Sequence, residues 1–304
     1  MKIWPFNKIT RLLTHWLTKD VSSHDKNELP ASDINRIYYE IRPCDVILVE
    51  GRSRVSEVIK LATKSNWSHA ALYIGRFHDI KDNKLRKKVL DHYRGDLNEY
   101  LLIEGILGKG TIVTPLSSYR NDHIRICRPS ALNMNDAERV MHYAISHLGG
   151  SYDLRHIADL LRLLFPIVFM PRYLFSSIFK PFTREPKKQI CSSLLARAFG
   201  SVGYPILPKI FKDKESRIRF IPRNPKLFTP KDFDYSPYFN IVKYPFYGLD
   251  TFASYHNIPW VTDGSFSNDG AGIIKLGLPH HEDISKEIIE RAEKIKKDTD
   301  EKKS

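Results

Sequence analysis

Short apolar runs rich in β-branched residues recur through the first half of the chain, separated by glycine, proline or charged residues. Runs of this length and composition predict β-strands. The predicted strands have the sequences CDVILVEG, HAALYIG, EYLLIEGI, GTIVTPL and HIRICRP. The first half of the chain is therefore expected to supply most of a β-sheet.

Apolar residues also recur at helical spacing in segments beside these strands. After the first predicted strand, Val55, Val58, Ile59 and Ala62 repeat helically in SRVSEVIKLAT. Two further helices are predicted in NDAERVMHYAISHLGG, which starts at an Asn or Asp cap and stops at a glycine pair, and in QICSSLLARAFGSVG. The charged residues 76–98 have little apolar periodicity, so they predict an exposed loop with a short helix.

The two ends and one internal segment have patterns of their own. Residues 1–20 place Phe, Ile, Leu and Trp at helical spacing among basic residues, which is typical of a helix lying in a membrane interface. A helix packed on its own domain is the equal alternative. The apolar, aromatic-rich segment 155–183 fits either contact with a membrane or a proline-hinged pair of core helices. Residues 285–304 predict a charged, solvated tail.

Composition and charge narrow the class of protein. The chain has 304 residues, of which 42% are hydrophobic and 27% charged, as in an ordinary globular protein. A formal net charge of +13 indicates an anionic partner: nucleic acid, a membrane surface or an acidic substrate. Three widely spaced cysteines support neither a disulfide framework nor a cysteine-rich zinc site. With no apolar centre for a signal peptide, the expected location is a reducing one, the cytoplasm, with peripheral membrane attachment.

Three residues carry candidate chemistry. Cys191 lies at the start of a predicted helix, where unpaired backbone N–H groups stabilise a thiolate. His69 begins a predicted strand, and Glu104 is a single charge in an apolar one. Taken singly, such residues are most often structural. Taken together, they fit a thiol nucleophile, a general base and a residue that orients the imidazole.

The order of the segments CDVILVEG, SHAALYIG, LLIEGILGKGTIVTPLSSY and CSSLLARAF resembles that of circularly permuted papain-like hydrolases of the NlpC superfamily. The YiiX-like branch is nearest, and the lecithin retinol acyltransferase-like branch is more distant. The resemblance runs from about Arg42 to Gly203, with a weaker echo in TPKDFDYSP. It implies an α+β fold in which an antiparallel sheet carries His and Glu and packs against the Cys-bearing helix. The expected divisions are 1–35, an N-terminal extension; 36–240, the catalytic domain; 241–284, an aromatic-rich extension; and 285–304, the tail.

Carried onto this chain, the resemblance makes Cys191 the nucleophile, His69 the base and then the acid, and Glu104 the orienting residue. The backbone N–H of Cys191 would contribute to an oxyanion hole. We expect these residues to converge on one cleft. The residues expected to bind substrate are Trp67, Ser68, Tyr152 and Ser192. For Tyr152, packing of the ring on the Cys helix is the alternative role.

The sequence departs from the family pattern at two places. Family members commonly have Gly at the position of Cys44, and Cys-Ser-Glu-Leu where this chain reads CSSL. Neither change removes a catalytic group.

The expected function is therefore hydrolysis or acyl transfer at an amide or ester bond, through an acyl-enzyme on Cys191. No cofactor or metal is expected, and the substrate classes considered are a lipid-linked amide and a cell-wall peptide. One alternative is a catalytically silent protein that binds ligands in the same cleft. Another is a nucleic-acid-binding protein that uses the basic segment 208–226, which is not favoured because no recognition motif accompanies that segment.

Overall fold

A computed structural model describes residues 19, 32–152, 188–189, 191–245, 254–261, 265–267 and 273–275. The chain divides into two compact units, Met1–Tyr247 and Gly248–Ser304. The predictions for residues 1–18, 153–187 and 285–304 lie outside the described residues, as do the side chains of Tyr152 and Cys191. Among the helices that can be described, none is long and apolar enough to cross a membrane.

A six-stranded antiparallel sheet forms the centre of the first unit. Its strands are β1 (Val46–Glu50), β2 (His69–Arg76), β3 (Tyr100–Ile106), β4 (Gly110–Pro115), β5 (His123–Pro129) and β10 (Phe239–Val242). They lie side by side in the order β10-β5-β1-β2-β3-β4. The five strands predicted from the apolar runs are confirmed. β10 was not predicted; it adds to the edge of β5.

Six α-helices can be described in the first unit. They are α1 (Ile34–Glu40), α2 (Arg54–Thr63), α3 (Asn83–His92), α4 (Met134–Ser146), α5 (Cys191–Gly200) and α6 (Lys231–Tyr235). Side chains cap the first four of them at the N-terminus. For example, Asn133 accepts a hydrogen bond from the Asp136 N–H at 2.8 Å to start α4. The charged loop 76–98 contains α3, which spans ten residues.

Two apolar cores lie on opposite faces of the sheet, because side chains alternate along each strand. On one face, α4 and α5 pack on residues that include Leu72 and Ile103. On the other, α1 packs on residues that include Ala71 and Leu102. The sheet is therefore covered on both faces, which explains why its central strands read as nearly continuous apolar runs.

Two short strand pairs accompany the main sheet in the first unit, one parallel and one antiparallel. β6 (Ser151–Tyr152) pairs in parallel with β7 (Lys188–Gln189), and β8 (Lys209–Lys212) pairs antiparallel with β9 (Ile218–Ile221). In the second unit, β11 (Ser265–Ser267) pairs with β12 (Ile273–Lys275). Short 3-10 turns at Phe77–Asp79, Leu116–Tyr119, Pro225–Leu227 and Tyr255–Asn257 join other elements.

The expected end of the catalytic domain at residue 240 stays a prediction, but the chain pairs with the first unit on both sides of that position. That position lies inside β10, which pairs with β5 through Val242 opposite Ile126. The chain continues to contact the first unit beyond β10, since Tyr244 accepts a backbone hydrogen bond from Asp33 and Pro245 bridges to Ser32. The first unit therefore extends to Tyr247.

Candidate active site

The structure brings His69 and Glu104 into direct contact. His69 is the first residue of β2, and its Nε2 shares a short hydrogen bond with Oε2 of Glu104 on the neighbouring strand β3. The His69 side chain is 19% exposed, whereas the Glu104 side chain is fully buried. A ring at the protein surface is thus held by a carboxylate in the interior, which fixes the orientation of the imidazole.

Tyr119 completes the environment of Glu104. It ends the 3-10 turn after β4, and its hydroxyl donates a short hydrogen bond to the same Oε2 that contacts His69. The Thr114 hydroxyl lies near the carboxylate without making a hydrogen bond of normal geometry. The other oxygen, Oε1, has no hydrogen-bond partner within the described part of the chain.

These contacts decide the charge of Glu104. Burial on its own would raise the pKa of the carboxyl group, since desolvation disfavours the charged form. The positive charge of His69 and the hydrogen bonds to Glu104 outweigh that effect, so its pKa lies below the ordinary value. Glu104 is therefore an ionised carboxylate at neutral pH and can stabilise an imidazolium at His69.

The His69–Glu104 pair projects from the face of the sheet that α1 covers. Along β2, His69 shares its face with Ala71, and along β3, Glu104 shares its face with Leu102. The helix α5 packs on β2 and β3 from the opposite face through Leu194, Leu195, Ala198 and Phe199. His69 is the first residue of β2, so it lies at the amino-terminal end of that strand.

Backbone pairing brings the start of α5 to the same end of the sheet. Gly105, next to Glu104, pairs with Thr111 of β4, and Thr111 exchanges backbone hydrogen bonds of 2.9 Å with the glycine pair that follows α4. That glycine pair leads into β6, which pairs with β7. Cys191 follows β7 by two residues and is the first residue of α5. The candidate nucleophile therefore lies at a helix start, as the sequence predicts.

Ser192 anchors the start of α5. Its side chain is buried, and its hydroxyl donates a hydrogen bond of 2.6 Å to the carbonyl oxygen of Phe228. Ser192 was expected to bind substrate; in the structure its hydroxyl makes a hydrogen bond within the protein. The contact ties the first turn of α5 to the segment that precedes α6.

Trp67 and Ser68 are buried as well. The Ser68 hydroxyl accepts a hydrogen bond from the Gly51 N–H at 2.9 Å. The Trp67 ring lies under the guanidinium of Arg125, and its Nε1 donates to Asp234 at 3.3 Å. Both side chains, which were expected to bind substrate, thus make contacts within the protein and hold the segment that precedes His69. The prediction for the side chain of Tyr152 lies outside the described residues.

Sequence reasoning missed Tyr119 and the Arg125–Asp234 ion pair, whose Nη1 and Oδ1 atoms are 2.6 Å apart. Tyr119 lies in a turn without periodicity, so no pattern marked it. Asp234 lies in the segment TPKDFDYSP, whose resemblance to the family is weaker than that of the other segments. Across the residues that the structure describes, no cluster of three or more His, Cys, Asp or Glu side chains could hold a metal ion.

The described part of the chain thus combines an antiparallel sheet covered by helices, a His–carboxylate pair on adjacent strands and a cysteine at a helix start. A family model described as permuted papain-like amidase enzyme, YaeF/YiiX, C92 family, matches residues 40–161. The match includes His69 and Glu104 and ends before Cys191. The predicted resemblance to the YiiX-like permuted papain-like family is confirmed over this range. The match supports a hydrolase of the amidase type.

One solved structure is a weaker comparison. The crystal structure of the metalloprotein yiiX from Escherichia coli O157:H7 is 18% identical to this chain, with a TM-score of 0.40. The alignment covers 67% of this chain and 97% of that one. No curated protein matches the chain significantly.

Proposed function

We propose that the protein hydrolyses an amide bond with Cys191 as nucleophile, His69 as general base and then general acid, and Glu104 as the residue that orients His69. The observation that carries this proposal is the hydrogen bond between His69 Nε2 and the buried carboxylate of Glu104. Because Nε2 is bound to Glu104, Nδ1 is the nitrogen that exchanges a proton with the thiol.

The reaction proceeds in two halves. The Cys191 thiol gives its proton to His69, and the sulfur forms a bond to the carbonyl carbon of the substrate. The C–N bond then breaks, the amine leaves with the proton from His69, and an acyl-enzyme remains on the sulfur. A water molecule gives a proton to His69 and attacks the acyl carbon, which releases a carboxylic acid and restores the thiol.

The position of α5 sets a geometric requirement. Its packing residues and the His69–Glu104 pair lie on opposite faces of the sheet. The Cys191 sulfur must therefore reach His69 around the amino-terminal end of β2, not across the sheet. The hydrogen bond from Ser192 to Phe228 supports this arrangement, because it fixes the helix start next to Cys191.

Iodoacetamide labelling at graded pH tests this proposal. Cys44 and Cys127 are buried, and burial raises the pKa of the Cys44 thiol to about 12 and that of Cys127 as well. Labelling of the folded protein near neutral pH therefore reports on Cys191 alone. We expect rapid labelling well below pH 8.5, the ordinary range of a free thiol.

Matched variants distinguish the roles of Cys191, His69 and Glu104. His69→Ala should move the labelling profile of Cys191 toward that of an ordinary thiol, and Glu104→Gln should move it in the same direction by less. Cys191→Ser should abolish labelling at neutral pH while preserving the circular dichroism spectrum. An unchanged profile in His69→Ala would show that the sulfur and the imidazole do not meet, and the proposal would fail.

The amidase match supports an amide as the bond that is cleaved. We propose that this amide is lipid-linked or part of a cell-wall peptide. We also propose that water, and not a second acceptor molecule, releases the acyl group. Incubation of the protein with a cell extract, followed by mass measurement of the peptide containing Cys191, would identify the trapped acyl group. An adduct that water releases as an acid would support hydrolysis, whereas one released only by an added amine or alcohol would favour acyl transfer.

A further inference from the structure

The β8–β9 hairpin leaves an unusual set of apolar side chains in solvent. Every residue of both strands is exposed. The exposed fractions include 63% for Ile218, 53% for Phe220 and 52% for Ile210, while Phe211 and Ile221 are also exposed. An exposed apolar cluster of this kind on a soluble domain marks a surface that contacts a partner.

The apolar side chains occupy both faces of the hairpin. Ile210 pairs with Phe220, and Lys212 pairs with Ile218, so these side chains share one face. Phe211 opposite Arg219, and Lys209 opposite Ile221, form the other face. A groove on a protein partner covers one face of a ribbon, whereas lipid can surround both.

The charge of the hairpin indicates what kind of surface it meets. Residues 208–226 contain seven Lys and Arg against two acidic residues. Asp213 binds Arg217 and Arg219 at 2.9 and 3.0 Å, which neutralises part of this charge within the turn. Lys209 and Lys212 lie on the exposed strands, among the apolar side chains. This combination complements an anionic surface.

The hairpin is hydrogen-bonded at its tip and held by an ion pair at its base. At the tip, Asp213 Oδ1 accepts backbone hydrogen bonds from Glu215 and Arg217 at 3.0 and 2.9 Å. At the base, Arg223 binds Asp232 at 3.0 Å and lies over the ring of Phe228. The apolar side chains are therefore presented on a preformed ribbon, which reduces the entropy lost on binding.

We propose that the β8–β9 hairpin docks the protein on an anionic membrane surface, with its isoleucine and phenylalanine side chains among the headgroups and its lysines beside the phosphates. Three of the five exposed apolar side chains are isoleucines, which favour lipid over nucleic acid because bases stack on aromatic rings and not on isoleucine. This inference is independent of the proposed hydrolysis, since it concerns binding alone.

Co-sedimentation of the full chain with vesicles tests the proposal. We expect pelleting with vesicles of phosphatidylcholine and phosphatidylserine at moderate salt, and little with phosphatidylcholine alone. The triple variant Ile210→Ser, Ile218→Ser, Phe220→Ser should lose most of this binding. The matched control replaces the exposed Tyr39 and Leu61 by serine and should bind as the native chain does.

A charge-matched pair of variants tests the lysines. Lys209→Gln with Lys212→Gln should weaken vesicle binding on the order of tenfold or more, given the typical contribution of a basic residue near an anionic bilayer. Lys84→Gln with Lys87→Gln makes the same change in net charge on α3 and should have a much smaller effect.

Four outcomes would overturn the proposal. Vesicle binding that survives the hairpin substitutions and disappears only when residues 1–20 are deleted would assign it to the N-terminal segment. Loss of polynucleotide binding in the triple variant, without vesicle binding in the native chain, would assign the hairpin to nucleic acid. Loss of self-association in the triple variant would assign it to a second copy. A melting temperature several degrees lower in the triple variant would show that the chain itself covers these side chains.

Discussion

Cys44 adopts a backbone conformation that normally belongs to glycine. The turn 42–45 is closed by a hydrogen bond of 2.9 Å from the Asp45 N–H to the Arg42 carbonyl, with Pro43 in second place. Cys44, in third place, has a φ of 72°, as a type II turn requires. The departure from the family's glycine therefore has a physical cost, which the buried Cys44 side chain offsets through its packing and its contact with the Ala137 carbonyl at 3.1 Å.

Substitution of Cys44 should reverse the usual order of alanine and glycine. Glycine normally destabilises an ordered position by about 0.5–1 kcal/mol relative to alanine, but the left-handed conformation costs a non-glycine residue about 1–2 kcal/mol. We expect Cys44→Gly to be at least as stable in urea as Cys44→Ala. Ala62→Gly, within α2, serves as the control and should be destabilising. A clearly less stable Cys44→Gly would show that the turn imposes no strain.

Tyr119→Phe tests the hydrogen bond that supports Glu104. Because the folded pKa of Glu104 is lowered, the stabilisation it provides is present above the unfolded pKa and is lost as pH falls through the folded value. We expect Tyr119→Phe to reduce the free energy of unfolding by about 1–3 kcal/mol at pH 7. The gap from the native protein should shrink below pH 4.5, the ordinary value for this group.

Tyr100→Phe provides the control for this pH dependence. Its hydroxyl also binds a charged group, the Arg76 guanidinium at 2.7 Å, but in an exposed position. Urea denaturation of the two variants at several pH values should show a pH-dependent loss only for Tyr119→Phe. A loss of equal size at pH 7 and at pH 3 would mean that the phenol packs without supporting the carboxylate.

At the scale of elements, the central strands and helices could be predicted because burial on both faces leaves continuous apolar runs and capping residues leave local signals. His69 and Glu104 were predicted as partners from their residue types and from the family resemblance, since nothing local encodes the register between β2 and β3. The hairpin β8–β9 was missed because its strands are short: β8 does not alternate between apolar and polar residues, and β9 does so over three residues only. Its register follows from pairing and from the Asp213 turn.

The placement of α5 depends on a contact that the sequence did not indicate. Ser192→Ala removes the donor to the Phe228 carbonyl and leaves a buried acceptor unpaired, so we expect a loss of about 1–2 kcal/mol in the free energy of unfolding. Ser201→Ala, which removes a local hydrogen bond of 2.7 Å to Ala198 on the exposed end of the helix, should change stability much less. Similar effects of the two substitutions on the urea midpoint would contradict the anchoring role of Ser192.

At the scale of the whole molecule, the first unit contains the main sheet, both cores and the candidate site. Its limit is set by the return of the chain along the sheet edge after α6. Phe239 is buried against Phe199, Tyr204 and Phe233, and the residues after it extend the sheet. No pattern in the sequence indicates this strand, because β10 is short and two of its residues are exposed.

Truncation distinguishes the two boundaries. A chain of residues 1–247 retains all of β10, the Asp33–Tyr244 hydrogen bond and the Ser32–Pro245 bridge, so it should unfold in urea in one cooperative transition. A chain of residues 1–240 loses these contacts and leaves the edge of β5 partly unpaired. Several backbone hydrogen bonds at about 0.5–1.5 kcal/mol each are then missing, so we expect a lower urea midpoint and a greater tendency to aggregate. Equal midpoints for the two chains would show that the segment 241–247 adds no stability. They would support residue 240 as the end of the catalytic domain, as expected from the sequence.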